Sequence, residues 1–80
     1  MKSLFHTKTD GYSLQKHVSI GLLADSETAC RIKCYIVDNC MSYNYHRSST
    51  YCEINDSDDI QHPKDLIEKD GYVYVGTEVC

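Results

Sequence analysis

Tryptophan is missing from this sequence, phenylalanine and proline each occur once, and glycine occurs only four times in eighty residues. The aromatic content therefore rests on seven tyrosines, whose rings pack in a core while their hydroxyls reach for water or a polar partner. Basic runs are also missing. Twelve Asp and Glu outnumber eight Lys and Arg, for a formal net charge of −4. Nucleic acid and heparin-type polyanions call for a basic face, so the composition disfavours both as partners. No apolar stretch is long enough to span a bilayer, and membrane insertion is not expected. The basic start "MKSLFH" is followed by "TKTDGYS", not by the apolar segment of a signal peptide. There is no glycine-rich phosphate loop, and no serine or cysteine stands in a recognisable nucleophile context. Acidic pairs fall only in turns, and eighty residues leave little room for a substrate cleft. The expectation is a non-enzymatic chain without a cofactor.

What the sequence has in excess is cysteine: five residues, four of them in "ACRIKCYIVDNCMSYNYHRSSTYCEIN" and the fifth at position 80. A chain this short buries only about 60% of the surface its unfolded form exposes. Dense cysteine in such a chain points to a disulfide-stapled secreted domain. One domain is expected over residues 1–80, with its core at about 5–76 and residues 77–80 starting a linker to a further module. On this reading a leader has been removed, and the chain is a module of a longer protein that is secreted or displayed on the extracellular face of the cell.

Along the chain, "SLFHTK" and "YSLQKHVSI" read as strands, with a turn at Asp10-Gly11 and a break at Gly21. "DSETACRIKCYIVDNC" is the strongest helix signal. Asp25 or Ser26 can cap it, Glu27 suits its positive N-terminal end, and Asp38-Asn39 close it, giving a helix over 26–38. "MSYNYHR" and "TYCEIN" form a hairpin around "HRSST", a long polar connection "DSDDIQHPKDLIEKDG" follows, and "YVYVGT" is the closing strand. The order β-β-α-β-β-β implies an α+β domain, one helix laid across a curved antiparallel sheet.

Cys30 and Cys34 share one face of the helix and point outward in parallel, which makes a bond between them awkward. Two pairings then tie helix to hairpin. Cys34–Cys40 with Cys30–Cys52 is the shorter staple and the preferred one; Cys30–Cys40 with Cys34–Cys52 makes the short loop straddle an extra helical turn. Both Cys40 and Cys52 should face the helix, and alternation then puts Ser42, Asn44 and His46 on that same face. Cys52 should sit opposite Asn44 or His46 and not Tyr45, which requires a hairpin loop of odd length. Zinc is a weaker use of the cluster, because Cys30/Cys34 make one close pair but Cys40 and Cys52 make no second. A redox dithiol wants C-x-x-C near a helix start, and none occurs.

A helix with C-x₃-C (Cys30, Cys34), then "CMSYNY" (Cys40 to Tyr45), "CEIN" (Cys52 to Asn55) and "GYVY" (Gly71 to Tyr74) resembles the PAN/apple domain superfamily. The likeness covers about Phe5 to Tyr74 and looks closest to modules of extracellular multidomain proteins from cnidarians and other invertebrates. It implies one helix cradled by a curved sheet, with two disulfides from helix to sheet, in agreement with the preferred pairing. Many members add a third disulfide between the terminal strands. Here nothing before Cys30 can partner Cys80, so Cys80 opens a following EGF-like module, forms a disulfide dimer, or is a free thiol.

The resemblance further implies a non-catalytic recognition or adhesion module that binds an extracellular protein or a glycan. A structural spacer and a stand-alone secreted toxin or inhibitor are the alternatives. Loops are the expected contact surface: the hairpin tip Arg47, Ser48, Ser49 and Thr50, and the acidic segment with Asp56, Asp58 and Asp59. That segment fails as an EF-hand, since Ile60 and Leu66 stand where the sixth-position glycine and twelfth-position glutamate belong. Tyr43, Tyr45, Tyr72 and Tyr74 are expected to fill the side of the sheet away from the helix. His6, His17, His46 and His62 are scattered without ligand spacing, and no metal is expected.

Overall fold

The computed structural model describes the backbone of residues 2–79 and the side chains of residues 8–76. Five strands and one helix follow in the order β1 (Lys2–Leu14), β2 (Val18–Leu23), α1 (Glu27–Ile36), β3 (Ser42–His46), β4 (Tyr51–Asn55) and β5 (Leu66–Val79), with a 3₁₀ turn at Pro63–Asp65. All pairings are antiparallel in one sheet of order β1-β5-β3-β4-β2. This is an α+β fold with a single helix on a five-stranded sheet.

The helix begins where its chemistry places it. Ser26 is extended, and its hydroxyl accepts a hydrogen bond from the Ala29 amide at 3.1 Å. Glu27 lies in the positive first turn and Lys33 in the last. Cys30 and Cys34 are fully buried on the inner face. Cys30 is bonded to Cys52 and Cys34 to Cys40, with Cα separations of 5.6 and 5.3 Å. Around these bonds lie Ala24, Tyr43, Tyr45, Ile54, Val73 and Val75, the apolar core.

Several local expectations give way. Cys52 faces the helix, but it lies opposite Tyr45, in a register where Ser42 faces Asn55 and His46 faces Tyr51. The loop between β3 and β4 therefore has four residues, Arg47 to Thr50, an even number. The odd-loop inference assumed that Cys40 shares the alternation of β3. Instead, Cys40 precedes the strand, in a turn closed by its amide donating to the Val37 carbonyl. Ser42, Asn44 and His46 consequently point away from the helix, and Tyr43 and Tyr45 point toward it. Of the four tyrosines expected on the far face, Tyr72 and Tyr74, opposite His46 and Asn44, lie there.

Asp10-Gly11 is a bulge within β1 and not a turn between strands, and Gly21 lies inside β2 with the Tyr51 ring against it. Between the pairs Asp10/Val73 and Tyr12/Glu68, one residue of β1 faces four of β5. Gly11 and Gly71 both adopt positive φ there, at +80° and +84°, which glycine does without steric penalty. The irregularity bends the β1/β5 ribbon, so that Ser13 and Leu14 come to rest, fully buried, over the far face of the central strands. The polar connection is shorter than expected, because β5 already begins at Leu66.

Candidate functional site

The far face is a buried polar layer. Asn44 is fully buried. Its Oδ1 accepts from the Leu14 amide at 2.9 Å, and its Nδ2 donates to the Leu14 carbonyl at 2.9 Å and to Glu53 Oε1 at 3.0 Å. The side-chain amide thus stands in for a neighbouring strand and closes the bent end of β1 onto β3. Ser42 donates to the Ser57 carbonyl at 2.7 Å and accepts from Asn55 at 3.0 Å. Tyr74 donates to Asp59 Oδ1 at 3.0 Å and accepts from the Asp59 amide at 2.9 Å. Burial pushes the Tyr74 hydroxyl well above the ordinary tyrosine range. On the helix side, Tyr43 donates to Glu27 Oε2 at 3.1 Å, and burial followed by the Glu27 charge raises its pKa in the same direction.

The two loop segments expected to form one contact surface are separated. The hairpin tip lies before β4 and the acidic segment after it, so the five residues of that strand hold them roughly 17 Å apart at about 3.3 Å per residue. At the tip, Arg47 donates to Asp10 Oδ1 at 2.9 Å, and its amide donates to the Gly71 carbonyl. Ser49 Oγ lies 2.7 Å from His46 Nδ1. Arg47, Ser48 and Ser49 are exposed, while Thr50 is half-buried in a left-handed conformation at φ +57°.

Of Asp56, Asp58 and Asp59 in the acidic segment, Asp56 alone is exposed. Asp58 is buried and accepts from the Gln61 amide at 2.9 Å, so its carboxylate braces the loop. Asp59 is engaged with Tyr74. Cys80 lies outside the described residues.

Sequence spacing leaves the histidines scattered, but the fold brings two of them together. His17, on the β1–β2 connection, and His62, before the 3₁₀ turn, stack with ring centroids 4.1 Å apart and an interplanar angle of 21°. His17 Nε2 lies 2.8 Å from Asp65 Oδ2. Their hydrogen bond holds the Asp65 carboxyl below its ordinary range. No sequence signal pairs His17 with His62, because their meeting depends on the bent ribbon.

With this geometry in view, similarity to known proteins decides the family: a PAN domain profile matches residues 6–80. The chain belongs to the PAN domain family. The match is to the family as a whole and carries no taxonomic placement. No curated protein and no solved structure is significantly similar to the chain. PAN domains are generally non-catalytic modules that mediate protein or carbohydrate interactions, and a disulfide-rich PAN domain suggests an extracellular setting.

Proposed function

We propose that this PAN domain is a recognition or adhesion module of a larger secreted or cell-surface protein, and that it contacts an extracellular protein or glycan through the hairpin tip. The observation that supports this most is the tip itself. Arg47, Ser48 and Ser49 present exposed donors on a short loop whose flanking strands are locked by the Cys30–Cys52 bond and by the Arg47–Gly71 backbone contact. A rigid scaffold carrying an exposed polar loop loses little entropy on binding. The Arg47–Asp10 ion pair is largely exposed, so it holds the guanidinium weakly and a partner carboxylate can displace it.

A structural spacer accounts less well for the outer face of α1. Ile32, Tyr35 and Ile36, at helical spacing, are 55%, 57% and 65% exposed, apolar area for which a spacer has no use. β5 runs on through Val79, so a neighbouring EGF-like module then begins at Cys80 and not in a linker from residue 77. The test is binding of the domain to an array of extracellular glycans and to immobilised extracellular-matrix proteins, in parallel with R47A. A saturable ligand weakened about tenfold or more by R47A supports the proposal. Binding indifferent to R47A, or no binding at all, contradicts it.

A further inference from the structure

His17, His62 and Asp65 each bring one ligand atom to a common point, all within 4.8 Å of one another. His62 and Asp65 also line an open depression, together with Gln61, Pro63 and Lys64. We propose that these three side chains form a binding site for a divalent transition metal, zinc in an extracellular fluid, with the remaining coordination positions open to water or to a ligand group from a partner.

The donor set selects the class of ion. Two imidazoles and one carboxylate suit zinc and its neighbours, whereas calcium and magnesium prefer all-oxygen shells. With bonds of about 2.0–2.1 Å, tetrahedral zinc holds its ligand atoms roughly 3.3 Å apart. The His17–Asp65 contact of 2.8 Å opens by about half an ångström to meet that requirement, and the other separations close from at most 4.8 Å. The metal replaces the proton on His17 Nε2, which moves to Nδ1 so that the imidazole stays neutral. His62 turns out of its stack with His17 to aim a ring nitrogen at the ion. It stands in a surface loop next to the depression, where that rotation meets little resistance.

The backbones that carry the three ligands are already fixed. The Gln15 amide donates to the Asp65 carbonyl at 2.9 Å, and the Asp56 amide donates to the His17 carbonyl at 3.0 Å. The His62 amide donates to the Asp58 carbonyl, and the Asp65 amide to the His62 carbonyl, each at 3.0 Å. Lys16 holds a left-handed conformation, φ +75°, between the pinned residues 15 and 17. The two ligand-bearing segments, residues 15–17 and 62–65, are thus registered before any ion arrives, so binding costs side-chain rotation and little backbone order.

The experiment titrates ZnCl₂ into the C80S domain, which removes the terminal thiol as a competing ligand. It follows heat by calorimetry and the ring protons of each histidine by NMR. The proposal expects one saturable site, shifts concentrated on His17 and His62, and a Tm rise on the order of 10–20 °C at a hundredfold excess over Kd. H62Q removes a ligand whose side chain lies outside the buried core and should weaken binding about 100-fold or more while the circular dichroism spectrum is kept; H17Q should do the same. Binding absent below about 1 mM, or unchanged in both H62Q and H17Q, overturns the site and leaves the cluster as a clamp between turn and loop. Because the readout is metal affinity, this result is independent of whether the hairpin tip binds a partner.

Discussion

Replacing Asn44 by alanine should cost this domain more than any exposed substitution. The amide of Asn44 satisfies both backbone groups of Leu14 at 2.9 Å, in a region where Asn44, Ser13 and Leu14 are all fully buried. Alanine cannot reach either group, and water has no direct route to them. Leaving a buried backbone donor and a buried acceptor unpaired costs about 1–3 kcal/mol each, or roughly 2–6 kcal/mol together. Eighty residues at ~0.05–0.15 kcal/mol per residue give a total stability of only about 4–12 kcal/mol. The substitution therefore removes a large share, and Tm should fall on the order of 10–30 °C. Urea and thermal unfolding, followed by circular dichroism with the disulfides intact, measure the loss. Amide exchange of Leu14 locates it, since that proton should be protected in the parent domain and exposed in N44A. A variant within about 0.5 kcal/mol of the parent, with Leu14 still protected, would refute the assignment of Asn44 as a surrogate strand.

Removing the Cys30–Cys52 bond by paired serine substitution should destabilise by about 3 kcal/mol and removing Cys34–Cys40 by about 2 kcal/mol, from their sequence separations of 22 and 6 on the chain-entropy treatment; denaturant midpoints of the two double variants give the order. Tyr43 and Tyr74 bind their protons more tightly in the folded state than in the unfolded one, so the stability they contribute is complete below the unfolded tyrosine pKa of about 10 and declines as pH rises past it. Ultraviolet titration of the folded domain should leave these two tyrosines un-ionised after the exposed ones have titrated, and their release should coincide with alkaline unfolding. G71A should cost about 1–2 kcal/mol, since alanine is strained at φ +84° and its Cβ meets His46 Nε2 at 2.9 Å; G11A, at φ +80° with nothing within 4 Å, should cost only the conformational part, about 1 kcal/mol. Thermal melts of the two variants separate the contact from the strain.

Local chemistry was legible in the sequence where neighbours in the chain decide the outcome. Ser26 and Glu27 mark the helix start, and the structure begins the helix at Glu27 with Ser26 as its cap. The hairpin strands and the α+β order follow from alternation and turn residues, and the ordered set from Cys30 to Tyr74 carries the family. Parity across the β3–β4 hairpin was not legible, because Cys40 resembles a strand residue in sequence but closes the helix exit. A one-residue error there turned Tyr43, Asn44 and Tyr45 to the wrong faces, as a period of two requires. Asp10-Gly11 carried an ordinary turn signal, yet the same left-handed glycine also serves a bulge, and only pairing with β5 decides between them. His17 and Asp65 are 48 residues apart, and their meeting depends on that bulge, so no local pattern announces it.

The most direct test of the account is a disulfide map of the unreduced protein, because the fold rests on four structural cysteines. Trypsin at Arg31, Lys33 and Arg47, with cleavage before Asp38, separates all four cysteines onto different peptides. Mass spectrometry should then find Cys30 joined to Cys52 and Cys34 joined to Cys40. The alternative pairing, or four reduced thiols in the native protein, would contradict the stapled helix and the extracellular placement drawn from it.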